Sequence, residues 1–386
     1  MMLAQLTFDL NTLPQQLING ILIGAIYALI ALGYTMVYGV LRLINFAHGE
    51  VYMFGAYIAL FISWLMGFGP GTQSSPANTV IYIGVMLLGS MLVCAILGML
   101  IDRFAYRPIR NQPRISVLIT AIGVSLFLQY AGALFLPNSP PPSINENVNP
   151  FQSAINIQIR PASSELLEQL QVAQQIYTTN NDQLAAMTAP SAVDVNAEEL
   201  ADQELVTIRT RREAEAAQRE VDFDALTIRI PQGQLLMLGT AIVLMLLLRQ
   251  LVQRTSAGRA MRAVAQDFDS ASLMGINVNK IITLTFIIGS ALAGAAAMMT
   301  ATFIGTPLTT FVGVQPGVKA FVAAVLGGIG SIPGAVLGGL VMGIAETMVV
   351  WVGLSSYRDA IALVILIVVL LFKPGGLMGS NAVEKV

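Results

Sequence analysis

Apolar runs, rather than charges, mark the elements of this chain. Charge-free runs recur at Leu17–Val40, Val80–Ile101, Ile115–Leu136 and Ile281–Ile304. Each exceeds the roughly 20 residues that cross the hydrocarbon core of a bilayer. Val51–Phe68, Gln232–Leu248, Val336–Leu354 and Ala360–Phe372 are shorter or glycine-broken, and read as further spans. The last must tilt little, thin the lipid or borrow from its flanks. The pattern predicts an all-α polytopic membrane protein with eight spans. Val318–Ile329 is either a ninth crossing or a re-entrant half-helix.

Composition agrees. The 386 residues are 55% apolar and 11% charged, with a mean hydropathy of +0.71, against roughly 25% charged in a soluble domain. Cys94 is the lone cysteine and lies in an apolar run, so it reads as a small core residue without disulfide or metal partners. The first cation is Arg42, so the N-terminus lacks the basic start of a cleavable signal peptide.

Arginine placement sets an expected orientation. Arg103, Arg107, Arg110 and Arg114 crowd one connection, and Arg249, Arg254, Arg259, Arg262 and Lys280 another, while Gly69–Thr79 carries no charge. Under the positive-inside rule the basic loops are cytoplasmic and the uncharged one lies outside. Counting spans puts the N-terminus outside, and Lys373 and Lys385 put the C-terminus inside. That parity favours Val318–Ile329 as a crossing.

Three segments emerge: a first membrane part over 1–136, a polar insert over 137–231, and a second membrane part over 232–386. Between Glu146 and Arg229 stand 14 acids and 6 bases, a net of −8, so the remaining 8 acids and 14 bases give +6. The total of −2 therefore hides two oppositely charged parts. The insert opens on Asn138-Ser139-Pro140-Pro141-Pro142, a linker signal. A helical pattern starts at Ser163-Ser164-Glu165, with Leu166, Leu170, Ala173 and Ile176 on one face, and another runs from Asn196 to about Val221. With a turn over Thr178–Pro190 they make an αα-hairpin on the extracytoplasmic side. It is either a solvated spacer or a binding or gating appendage.

The loop 249–280 is polar and basic, with a helix-compatible run over Ala260–Met274 and a stop at Gly275. A tight turn would suffice to join two spans, so a loop of this size suggests a docking element for another protein.

Polar residues also sit where polarity is costly. Asn45-Phe46-Ala47-His48-Gly49-Glu50 follows the first span and runs directly into the next. Asn45, His48 and Glu50 either tie a tight re-entry together through freed backbone groups or, with Gly49, touch a translocation path. His48 is the only histidine, which excludes a multi-histidine metal site. Glu346 lies mid-span and Arg358/Asp359 caps a span; each reads as an interface hydrogen bond, with Glu346 also a path candidate. No paired intramembrane acid and base is evident.

Glycines recur in small-residue pairs such as Gly20/Gly24, which let membrane helices approach closely. The run from Gly327 through Gly328 and Gly330 to Gly334 instead frees backbone groups at membrane depth, so it is either buried in protein or lines a wet cavity. No Gly-Lys-Ser/Thr follows any of these runs, so the chain carries no nucleotide site of its own, and no catalytic triad or carboxylate dyad is apparent.

Four blocks carry a resemblance: LINGILIGAIYALIALGYTMVYGVLRLINFAHGEVYMFGAY, GRAMRAVAQDFDSASLMGINVNKI, KAFVAAVLGGIGSIPGAVLGG and YRDAIALVILIVVLLFKPGGLMG. They resemble the H-type (LivH-like) inner-membrane permease of branched-chain and neutral amino-acid ABC importers, over nearly everything except Pro137–Ile230. Members of that family ordinarily have a short connection there. The resemblance implies a non-catalytic subunit that binds no cofactor, works beside a second, related permease on two ABC ATPases that use ATP, and is fed by a periplasmic binding protein. It implies a bacterial inner-membrane location, with lipid around the chain and no nucleic acid. It makes Ala263–Gly275, including Ala265, Gln266 and Asp267, a coupling helix, with Arg259 and Arg262 facing acidic groups on an ATPase. Urea and short-amide permeases resemble it closely and form the alternative. An ion-coupled carrier or channel would need buried charge pairs, and a membrane sensor would need an output domain.

Overall fold

The computed structural model describes residues 12–67, 76–110, 112–138, 142–144, 154–188, 196–224 and 226–379. Phe68–Ser75, Ser139–Pro141, Glu146, Pro190 and Lys385, which figure in the sequence reading, lie outside them.

Each long apolar run becomes a helix: α1 (Leu13–Leu41), α2 (His48–Leu65), α3 (Pro76–Ile101) and α4 (Arg114–Phe135). The insert follows as β1 (Ala154–Arg160), α5 (Ser164–Thr188), α6 (Ala197–Asp224) and β2 (Leu226–Pro231). The second membrane part holds α7 (Gln232–Arg254), α8 (Ser256–Gln266), α9 (Phe268–Leu273), α10 (Val278–Met299), α11 (Val314–Gly327), α12 (Ile332–Trp351) and α13 (Ala360–Phe372). Among the described residues, six helices are long and apolar enough to span a membrane; α11 and α13 are shorter apolar helices. A π-helical turn, Asp102–Tyr106, extends α3, and another, Thr300–Ile304, extends α10.

The chain forms two compact units; the described residues of the smaller one are 12–15, 154–188, 196–224 and 226–230. In the membrane unit, α1 is central: 89% of its most apolar stretch is buried, against 22% for the span containing α3. Glycine notches explain the closeness. A Cβ on Gly24 would meet Leu340 Cα at 2.8 Å, and one on Gly20 would meet Thr347 Oγ1 at 2.6 Å. Gly39 lies beside Gly330, so α1 and α12 run antiparallel along most of their length. α10 packs on α2 and α3, and α11 on α2, α12 and α13.

In the smaller unit, α5 packs along α6 over a modest core of Ala162, Leu170 and Val221. The exposed pairs Arg209–Glu213 (3.1 Å) and Arg211–Glu215 (2.9 Å) line α6, worth a few tenths of a kcal/mol each. Two details differ from the sequence reading. The expected turn from Thr178 is helix as far as Thr188, because Thr178, Thr179 and Asn180 donate back to carbonyls of Gln174, Gln175 and Ile176, which occupies the polar groups that otherwise favour turns. The insert also carries a two-stranded sheet, β1 beside β2.

Candidate translocation site

The re-entry is built by a chain reversal of only six residues. α1 ends at Leu41, Arg42 takes a positive φ of 55°, and α2 starts at His48 with Glu50 in its first turn. A carboxylate is favoured there by the positive end of the helix dipole. Asn45, His48 and Glu50 are all buried, at 1%, 1% and 5% exposure. Tyr106 donates to Asn45 Oδ1 at 3.0 Å, tying the reversal to the arginine-rich end of α3. The His48 ring bonds the backbone of Ile30 and packs edge-on against Tyr34 at 4.6 Å. It fits because position 33 is glycine; a Cβ there would fall on the imidazole.

Beside this reversal α11 begins. Gly49 and Gly313 pass so closely that a Cβ on Gly49 would lie 2.8 Å from the Gly313 carbonyl, and one on Gly317 would lie 3.0 Å from Gly49 Cα. Three glycines thus bring the N-terminal ends of α2 and α11 side by side. Between them and α4 opens a cavity of about 220 Å³. Tyr34, Phe46 and Phe321 form its aromatic wall, with ring centroids 6.0 Å (Tyr34–Phe321) and 6.2 Å (Phe46–Phe321) apart. Ile122, Ser125 and Leu126 supply the α4 side. Glu50 lines the cavity and accepts from Ser125. Its Oε2 is buried without a hydrogen-bond partner among the described residues, as are His48 Nε2 and Asn45 Nδ2.

A second polar cluster lies between α1, α11 and α12. Lys319 on α11 bonds Glu346 at 2.9 Å and Asp359 at 2.7 Å. Tyr27 donates to Glu346 Oε2 at 2.6 Å, and Arg358 bonds the other oxygen. Glu346 is fully buried and Lys319 is 5% exposed. This corrects the expectation that no intramembrane acid and base are paired. It also corrects the reading of Glu346 and Arg358/Asp359 as separate interface bonds, since all four charges form one network. Lys319 was missed because it stands 27 residues from its partner; the signal was a lone lysine in an otherwise apolar helix.

Gly327, Gly328 and Gly330 do not line the cavity. They form the turn between α11 and α12, with φ of 102° at Gly328 and 94° at Gly330. The freed carbonyls of Leu326 and Gly327 accept from Leu377 and Met378 at 2.8 and 2.9 Å, so protein backbone satisfies them.

The basic loop 249–280 folds as two helices rather than the single one expected over Ala263–Gly275. The break is Asp267, whose carboxylate accepts from the amides of Asp269 (2.8 Å) and Ser270 (3.0 Å) and so starts α9. Those bonds, Ser270 first, hold its carboxyl below the usual range. α8 has Ala263, Ala265 and Gln266 in its last turns and buries Gly258, Met261 and Val264, one face of the helix. Arg262 donates to the Val252 carbonyl at the end of α7, while Arg259 is exposed. Gly275 has a φ of 81° with open space around it, so it stops α9 in a left-handed conformation. Leu273 and Met274 beside it are 89% and 83% exposed.

Comparison with known proteins is consistent from end to end. The profile of the branched-chain amino acid transport system permease component family matches residues 16–370. The chain is 35% identical over 373 residues to the high-affinity branched-chain amino acid transport system permease protein LivH of Salmonella typhimurium strain LT2, covering 96% of this chain and 97% of that one. The same figures hold for LivH of Escherichia coli strain K12. Identity to BraD, the corresponding permease protein of Pseudomonas aeruginosa, is 37% over 372 residues, with the same coverage. No solved structure matches the chain.

Proposed function

The chain belongs to the permease component family of branched-chain amino acid transport systems, and on that premise we propose that it carries neutral, branched-chain amino acids across the bacterial inner membrane. It is a multi-pass permease subunit of an ABC importer, and ATP is hydrolysed by partner subunits. The observation that carries this reading is similarity at 35–37% identity along 96% of the chain to proteins named as permease proteins of high-affinity branched-chain amino acid transport systems. The urea or short-amide alternative has no such support.

A second, related permease would complete the pathway, two ABC ATPases would drive it, and a periplasmic binding protein would deliver the substrate. The N-terminus lies outside and the C-terminus in the cytoplasm, a reading supported by the arginines of the two basic loops. The loop 249–280 is the ATPase contact. Its exposed groups include Arg259 and the tip formed by Leu273, Met274 and Gly275. Asn45, His48, Gly49 and Glu50 bound the pathway; Glu346 and the glycines at 327, 328 and 330 brace the helices beside it.

The test is uptake of radiolabelled leucine and urea by a strain lacking its own systems and supplied with the whole transporter. Saturable leucine uptake that needs this chain and the ATPase is expected. Urea uptake without leucine uptake would overturn the reading.

A further inference from the structure

The cavity beside the re-entry has the chemistry of a zwitterion site. α2 and α11 both begin at its wall, so the positive ends of two helix dipoles lie at the cavity. One wall is aromatic and aliphatic, from Phe46, Phe321 and Ile122. Glu50 also lines the cavity, 95% buried, with Oε2 unpartnered among the described residues. A buried carboxylate oxygen without a donor is costly. Ser125 already engages the carboxylate, and among the described residues no second donor reaches Oε2. The volume of about 220 Å³ is below the roughly 300–1,000 Å³ of drug-sized pockets, which suits a solute as small as one amino acid.

We propose that this cavity is a transient binding site for the free amino acid, in which Glu50 Oε2 accepts the substrate's ammonium group. The substrate carboxylate lies toward the first turn of α11, and its aliphatic side chain lies against Phe46, Phe321 and Ile122. This inference rests on the amino-acid importer reading and adds a selection step inside the membrane. Urea and simple amides carry no cation for Glu50, so the site discriminates against them. Glu50 also closes the first turn of its own helix; that structural role does not depend on whether a solute has an ammonium group.

The test uses the purified full transporter without its binding protein, so that selection upstream is not read. Val318, 41% exposed and on the cavity wall, is replaced by cysteine for labelling with a thiol reagent; Cys94 is fully buried and stays silent. Leucine at ten times its Kd is expected to slow labelling roughly tenfold, whereas 4-methylpentanoate, which lacks only the ammonium group, and urea leave it unchanged. Glu50→Gln is expected to remove protection by leucine while the complex still co-purifies, and Glu50→Asp to retain it in part. Equal protection by 4-methylpentanoate, no protection by leucine, or leucine protection intact in Glu50→Gln overturns the proposal. Where both Glu50 variants fail to assemble, the comparison of leucine with 4-methylpentanoate on the unsubstituted carboxylate still decides. Absence of leucine uptake by the wild-type transporter would refute the importer reading itself; uptake without ammonium-dependent protection refutes only this site.

Discussion

Lys319 and Glu346 meet at 2.9 Å in the interior of a membrane protein, on successive antiparallel helices. Glu346 is fully buried, and its two oxygens are filled by Tyr27, Lys319 and Arg358. Removing one partner of such a pair strands the other charge, at a cost of about 3–5 kcal/mol. Lys319→Met and Glu346→Gln should therefore each sharply lower the amount of folded transporter. Lys319→Met/Glu346→Gln should recover much of it, because Arg358 and Asp359 are 47% and 56% exposed at their side chains and can turn to polar surroundings. Thermal stability of the complex in detergent checks this; a double variant no better than the worse single one would show that the pair is not the unit.

Gly33 and His48 make a second testable pair. Gly33→Ala places a methyl group on the imidazole and 2.9 Å from the Gly289 carbonyl, an overpacking cost of about 1–3 kcal/mol. His48→Ala in the same chain should relieve part of that cost. Gly313→Ala should find no such relief, since its Cβ meets the Gly49 backbone. Membrane abundance of these three variants beside the wild type would show the contrast. Equal loss in Gly33→Ala with and without His48 would separate the two residues.

Asp267 governs the start of α9. Its carboxyl is held low in the folded protein by the Ser270 and Asp269 amides, so the cap is fully present above the ordinary carboxylate pKa. It fails only as pH falls through the depressed folded value. Coupled ATPase activity should thus show no pH dependence from Asp267 near neutrality, while Asp267→Ala lowers it across that range. An Asp267→Ala transporter with wild-type coupling would remove the cap from the mechanism.

Gly275→Ala must adopt a φ of 81°, at roughly 1–2 kcal/mol, but meets no neighbour. The bulkier Gly275→Arg should still reach the membrane and abolish uptake by blocking the proposed ATPase contact. Uptake at wild-type level by Gly275→Arg would place that contact elsewhere.

The compact unit at 154–230 has its own strands and small core. Exchanging 154–230 for a short Gly/Ser linker should leave assembly with the ATPases intact and alter apparent affinity in a salt-dependent way. Failure to assemble would make the unit structural, and unchanged uptake at low and high salt would make it a spacer.

The membrane helices were legible because their runs lack charge, and the hairpin because its apolar face repeats at helical spacing. The sheet was legible too: Ala154–Arg160 and Leu226–Pro231 alternate with period two, a signal passed over beside two long helical patterns. Asn45, His48 and Glu50 stood out as polar residues in apolar surroundings. Lys319 did not, since pairing across 27 residues is set by the α11–α12 turn. The cavity was not readable either, because it depends on glycines at 49, 313 and 317 meeting across a large sequence separation.

The burial of α1 bears on how the protein is made. α1 is the earliest of the described helices to leave the ribosome, yet the notches at Gly20 and Gly24 are filled by α12, which begins about 290 residues later. At translation rates of about 5–20 residues per second, the partner arrives roughly 15–60 s afterwards. Throughout that interval lipid tails, or the insertion machinery, must cover a surface shaped for protein. The step most exposed to quality control is therefore the late capture of the first helix by the end of its own chain.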